Sequence, residues 1–279
     1  MTEKLTDEHL RTEHGLSQSD RTQILGAAPL PGQLNDVFGS LRQNPLLASL
    51  LSDAEQNWDM DKVERYTGVA PELVLAAYEQ GQFPMADSKD ATRLSWIEPS
   101  ERGIIRLNGF KVPKRLKRWV KNCDLRVTCN LAFDHIVEGC GSDKNGREDT
   151  WINPQIRVLY GALHRMGFAH SIEVWDKDGH LVGGLYGIAI QGAFFGESMF
   201  STATNASKLA LIHLAARLKN SGITLLDCQF YTRHLSQFGA YEMPEENYLN
   251  MLADALIDLN AHFQPDLLTG QFEDFLATV

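Results

Sequence analysis

Two polar side chains stand in a run otherwise composed for burial: Asp227 and Gln229 interrupt Ile223 to Phe230, ITLLDCQF. One alternation separates them, so on a strand both project to one face. A carboxylate beside an amide can close a purely structural network, because buried polar groups require partners. It can equally be a catalytic pair, with the carboxylate fixing an amide that holds an incoming nucleophile. Glu197 breaks a second apolar run, Phe194 to Phe200, between Gly196 and Ser198. It serves either as a loop or capping group or as a third member of a site. The histidines show no H-x-x-x-H spacing, and Cys123, Cys129, Cys140 and Cys228 show no C-x-x-C spacing, so no metal is expected.

These groups need a scaffold, and Gly192 to Phe230 supplies one as strand, polar loop, helix and strand. Ala206 to Lys219 places Leu209, Leu211, Ile212, Leu214, Ala215 and Leu218 at helical spacing, and Asn220, Ser221 and Gly222 end the helix. Two strands joined by a helix form a β-α-β crossover, in which ligands gather near the carboxyl ends of the strands. Coenzyme A-dependent acyltransferases cradle a pyrophosphate on a Gly-rich turn at a helix start. Here the loop is Ser201-Thr-Ala-Thr-Asn-Ala-Ser207, without glycine. A β-α-β acyltransferase core lacking that turn suggests another acyl carrier.

The chain has 279 residues, 43% of them apolar, and a formal charge of −10. Such an acidic molecule repels phosphate except through a local patch, so DNA is not an expected partner. No apolar run spans a bilayer and no signal peptide is evident, so a reduced, cytoplasmic protein is expected. Residues 1–65 are polar and interrupted by Pro29, Pro31 and Pro45, and read as a largely disordered extension with one possible short helix at Leu46 to Leu51. Residues 66–106 read as a small mixed domain: helix Leu73 to Gln80, then Phe83 to Met85, then strands Arg93 to Glu98 and Gly103 to Leu107. Residues 107–279 read as the main body, with a strand at Leu125 to Thr128, helices at Leu131 to Cys140 and Pro154 to Met166, and a hairpin turning at Asp178-Gly179. A last helix is expected at Tyr248 to His262. Strands both precede and follow helices, so the class is α+β with a mixed sheet.

One segment is basic, Lys111 to Lys121, with six cations and no acid. Leu116, Trp119 and Val120 form its apolar stripe, leaving Lys114, Arg115, Lys117, Arg118 and Lys121 for a solvated face or for phosphate. Trp151 and Tyr160 serve either as core aromatics or as a stacking platform for a base.

At these residues the sequence resembles the bacterial leucyl/phenylalanyl-tRNA protein transferases. The resemblance lies in Tyr78-Glu-Gln-Gly-Gln-Phe-Pro84, Asp149-Thr-Trp-Ile152, His170-Ser-Ile-Glu-Val-Trp175, Leu181-Val-Gly-Gly-Leu-Tyr-Gly187, Phe195-Gly-Glu-Ser-Met-Phe-Ser201, Asn205-Ala-Ser-Lys208 and Asp227-Cys-Gln229. It covers about 66–250. It implies a small amino-terminal domain and an acetyltransferase-like (GNAT-type) mixed sheet with helices. The implied activity moves Leu or Phe from aminoacyl-tRNA to a protein's amino-terminal Arg or Lys, marking it for degradation through the N-degron route, with no cofactor beyond the charged tRNA. The resemblance assigns Asp227, Gln229 and Glu197 to catalysis. It assigns Leu185, Phe194, Leu211, Leu214 and Leu218 to the aminoacyl pocket, and Trp151, Tyr160 and Met85 to the 3′-adenosine. Met85 departs from the Trp often found there. The basic face, Lys114, Arg115, Lys117, Arg118 and Lys121, is then the expected contact for the tRNA acceptor stem.

Overall fold

The computed structural model describes residues 60–91, 93–142 and 150–279. In chain order these form α1 (Met60–Thr67), α2 (Pro71–Glu79), β1 (Phe83–Ala86), β2 (Leu94–Ile97), β3 (Glu101–Arg106), α3 (Lys114–Val120), β4 (Arg126–Cys129), α4 (Phe133–Cys140) and α5 (Pro154–Arg165). There follow β5 (Ala169–Trp175), β6 (Leu181–Ile190), β7 (Ala193–Ser201), α6 (Ala206–Asn220), β8 (Leu225–Gln229), α7 (Arg233–Ser236), β9 (Tyr241–Pro244), α8 (Glu245–Leu256) and α9 (Gln271–Thr278). Local chemistry sets several of these ends. Pro71 and Pro154 occupy first-turn positions, where a missing N–H costs nothing. The Asn153 side chain caps α5 by accepting from Ile156 N.

Seven strands form one mixed sheet in the order β4-β5-β6-β7-β8-β3-β9, and β1 pairs with β2 in a separate hairpin. All neighbours in the large sheet are antiparallel except β7 and β8. One face carries a core of residues from α2, α4, α5 and α8, including Tyr78, Phe133, Leu159 and Leu252. The other carries a core from α3, α6 and α9, including Leu116, Leu211 and Phe275. Helix α6 buries residues around most of its circumference, which is why it reads as nearly continuous apolar sequence.

The parallel pair positions the site. β7 and β8 pair only at Ala193–Phe195 with Leu225–Asp227, and β7 continues to Ser201. Beyond Phe195 and Asp227 the strands part, leaving a wedge at their carboxyl ends. Each strand carries a bulge there. Tyr186 pairs with Ser198 and Gly187 with Gly196, leaving Glu197 as the extra residue of β7. Gly103 pairs with Gln229 and Ile104 with Asp227, leaving Cys228 as the extra residue of β8. Bulges re-aim side chains out of strict alternation.

Several expectations change. Residues 1–59, with the helix suggested at Leu46 to Leu51, lie outside the described residues, but residues 60–65 of the expected disordered extension are helical, in α1, which buries Val63 and Thr67. Strand β3, expected in the small domain 66–106, lies in the large sheet between β8 and β9, and its Ile104 and Ile105 are wholly buried. The helix expected at Tyr248 to His262 is α8, which starts three residues earlier and stops at Leu256. Strand β9 and helices α7 and α9 were not anticipated.

Candidate active site

A cavity of about 590 Å³ opens in the wedge, lined by Glu197 from β7, by Cys228 and Gln229 from β8, and by Leu211 and Leu214 from α6. Leu185 on β6 completes the apolar wall, and Met85 and Trp151 reach it from the other side.

Glu197 is the hub. Tyr78 Oη donates to its Oε1 at 2.7 Å, Tyr160 Oη to its Oε2 at 2.8 Å, and Gln229 Nε2 to its Oε1 at 2.8 Å. The two tyrosine hydroxyls also lie within hydrogen-bond distance of each other; with one proton apiece they satisfy all three contacts among hydroxyls and carboxyl at once only when Glu197 itself carries a proton. Burial pushes the Glu197 carboxyl up to about 7, against the three donors, which favour its ionised form. Both tyrosines are pushed well above their ordinary range, first by burial and then by the Glu197 charge, so they stay protonated donors.

Asp227 is held differently. Arg102 Nε lies 3.0 Å from both carboxylate oxygens and its Nη2 lies 2.8 Å from Oδ2. Tyr248 Oη donates to Oδ2 at 2.6 Å. The guanidinium lies between the rings of Phe83 and Tyr248, at 4.9 and 4.6 Å, and Nη1 donates to Gly81 O at 2.7 Å. Burial is the largest single influence and works against the Arg102 cation, but Asp227, Tyr248 and Tyr78 together outweigh it and its pKa rises above the usual value. Asp227 therefore presents a neutralised pair, not a free charge.

The side chains of Asp227 and Gln229 do not bond each other. The link is the Gln229 backbone N–H, which donates to Asp227 Oδ1 at 2.7 Å. It holds Gln229 in the left-handed region at φ 62°, a conformation that costs a non-glycine residue about 1–2 kcal/mol. That turn aims the amide at Glu197. Directly beneath it a Cβ on Gly103 would lie 2.4 Å from Phe230 C and 2.5 Å from Tyr231 N, so only glycine allows the chain to leave β8 this way.

Among the expected pocket residues, Leu185, Leu211 and Leu214 line the cavity, whereas Phe194 and Leu218 are core residues behind it with no exposed surface. Trp151 and Met85 line it too. Tyr160 does not: it is wholly buried, offers no face to a base, and contributes its hydroxyl to Glu197. Helix α3 buries Leu116 and Val120 and exposes Lys114, Arg115, Arg118 and, just beyond it, Lys121. Lys117 is half-buried, with Nζ donating to Val279 O at 2.7 Å, which ties it to the end of α9.

Arg102, Tyr78 and Tyr248 were missed as site residues. An Asp in an apolar strand requires a cation or several donors, and that demand was the available signal. Among the described residues, one cluster has metal-ligating side chains, Asp176, Asp178 and His180 at the β5–β6 turn. There Asp176 already accepts from the backbone N–H groups of Asp178 and His180, and its Oδ2 bonds the His180 ring. No helix among the described residues is long and apolar enough to cross a membrane.

A mixed sheet whose one parallel pair opens onto a buried carboxylate, an amide and an apolar wall has the parts of a group-transfer site. The family model described as "Leucyl/phenylalanyl-tRNA protein transferase" matches residues 104–253, and that of the family's N-terminal domain matches residues 69–100. A leucyl/phenylalanyl-tRNA–protein transferase from Hyphomonas neptunium is 55% identical over 186 residues, covering 67% of this chain and 72% of its own. One from Rhodopseudomonas palustris is 53% identical over 188 residues, covering 67% and 84%. The chain belongs to this family of aminoacyl-tRNA–protein transferases. A solved structure of FemX overlaps 62% of this chain and 66% of its own, at 12% identity and a TM-score of 0.42, too distant to assign chemistry.

Proposed function

We propose that this enzyme transfers Leu or Phe from charged tRNA to the amino-terminal Arg or Lys of an acceptor protein, in the cytoplasm, so marking it for degradation through the N-degron route. The observation that carries this reading is one continuous cavity joining a wall of Leu185, Leu211 and Leu214 to Glu197 and Gln229. The wall suits an apolar side chain unbranched at Cβ, and Trp151 and Met85 suit the 3′-adenosine.

The aminoacyl ester is already activated, so the chemistry requires neither cofactor nor metal. The acceptor α-amine, with an ordinary pKa of roughly 7.7–8.0, is partly neutral at neutral pH. Its nitrogen attacks the ester carbonyl, a C–N bond forms, the bond to the ribose oxygen breaks, and the proton shed by nitrogen ends on that hydroxyl. Because the Gln229 NH₂ donates to Glu197, its Oε1 is left to accept from the amine and orient it. Glu197 supplies the negative charge that favours the developing ammonium and holds its proton in passage. Asp227 acts through the backbone of Gln229, its own charge being offset by Arg102.

The test is transfer of radiolabelled Leu from charged tRNA to peptides beginning with Arg, Lys or Ala. Labelling of the first two but not the third is expected. Equal labelling of all three would remove the proposed acceptor specificity.

A further inference from the structure

A cationic rim stands over the cavity, apart from the basic helix. Along α6, Lys208, Leu211 and Leu214 follow at intervals of three and share one stripe. The leucines form the cavity wall, and Lys208 lies one turn nearer the helix start, where the first turn carries no acid. Across the opening, the turn after β8 brings exposed Arg233 and His234 to the lining. Burial, and after it the Lys208 charge, hold the His234 imidazole below its ordinary pKa. Neither Lys208 nor Arg233 forms an ion pair among the described residues. In a chain of net charge −10, cations without an ion-pair partner beside an opening favour an anion there, outside the buried Glu197 that lines it.

The groups at the opening identify the anion. Leu211, Leu214, Glu197 and Gln229 are buried parts of the lining, whereas Arg233 is an exposed part of it and Lys208 is half-buried on the helix that supplies the leucines. A charged tRNA presents its aminoacyl side chain, ester and terminal adenosine in that order, and next its first phosphodiester. We propose that Lys208 and Arg233 bind the phosphodiester backbone of the single-stranded 3′ end, immediately before the terminal adenosine. The proposal rests on the aminoacyl-transfer reading and adds a phosphate subsite to it. Helix α3 contributes no residue to this cavity and is left for the more distant stem.

Three donors separate these roles: charged tRNA, the dinucleotide leucyl-CpA with one phosphodiester, and leucyl-adenosine with none. Lys208→Gln and Arg233→Gln should each raise KM about ten-fold for the first two, the scale of one charge-assisted contact. For tRNA, each should also make the slope of log affinity against log salt shallower by about 0.7, the single-strand value. The change with leucyl-adenosine should be far smaller, and this donor also reports that the variants fold. Lys114→Gln with Arg115→Gln should affect tRNA alone. Equal loss on leucyl-adenosine would mean that the two residues shape the cavity, and an unchanged KM for leucyl-CpA would place the phosphate elsewhere. Either result overturns the rim. Failure of the unmodified protein on all three donors would instead refute the transfer reading beneath it.

Discussion

Replacing Arg102 by Met tests whether Asp227 is a neutralised structural partner or a free catalytic charge. The guanidinium and carboxylate are 1% and 0% exposed and meet at 2.8 Å. Removing the cation strands the anion beside Tyr248 Oη and Gln229 N–H alone, and breaking one side of a buried pair costs about 3–5 kcal/mol. For a chain of this size that lowers Tm by roughly 6–20 °C, at about 2–4 °C per kcal/mol. Asp227→Asn should cost a similar amount, since it strands the cation. If the two sites were independent, the double variant would lose about 6–10 kcal/mol. Removing both charges leaves neither unpaired, so the double variant should instead lose no more than either single one, a coupling of about 3 kcal/mol or more. Urea unfolding of all four proteins measures this cycle. Additive losses would refute the neutralised pair and return Asp227 to the role of a free charge. The transfer rate should fall in both single variants through the displaced Gln229, with a smaller change in KM for charged tRNA.

Three further outcomes are expected. Glu197 holds its proton more tightly folded than unfolded, where a carboxyl loses it near about 4.3. Its contribution is therefore fully present below that pH and lost as pH rises through about 7. Glu79, raised by burial to about 7, titrates in the same window, so it is the wild-type minus Glu197→Gln difference in stability that should fall between pH 4.5 and 7; a constant difference would count against the buried carboxylate. The same variant should slow transfer and lose the limb of kcat/KM near neutrality. Gly103→Ala should cost about 1–3 kcal/mol by overpacking against the backbone of Phe230 and Tyr231, and slow transfer by moving the Gln229 turn; an unaffected rate would separate that turn from catalysis. Phe should be transferred alongside Leu, while Ile and Val, with a methyl next to the backbone, should be poor; rapid transfer of Ile would contradict the cavity shape.

Much of the fold is legible because burial leaves a periodic mark. Helix α6, the β5–β6 hairpin and the strands flanking α6 follow from apolar spacing and their Gly and Asn stops. What escaped was short or carried mixed signals. Strand β9 is YEMP, with one buried residue in four, too brief for a period. Strand β3 begins two residues before the expected Gly103, at Glu101-Arg102, a charged pair that gives no strand signal until Arg102 is known to have a buried partner. Its membership of the large sheet depends on pairing with β8 and β9, distant in sequence, and composition does not record such pairings.

The site shows the same division more sharply. Sequence alternation places Asp227 and Gln229 together and marks both as costly in a buried strand, and both are indeed buried. It does not say what offsets that cost, because the partner of Asp227 is Arg102, 125 residues away, and the partner of Gln229 is Glu197 on another strand. Alternation assumes an unbroken ladder, and the ladder breaks at both positions that matter, by one extra residue on each of β7 and β8. The two breaks have a common effect. They turn Glu197 and the Gln229 amide towards each other across the gap between strands that have just stopped pairing. The Arg102–Asp227 pair fixes one end of that gap through the Gln229 N–H, and the Tyr78 and Tyr160 hydroxyls fix the other through Glu197. An amide held from both sides loses little freedom when it meets an incoming amine, so the orientation that the proposed transfer requires would be settled before substrate arrives.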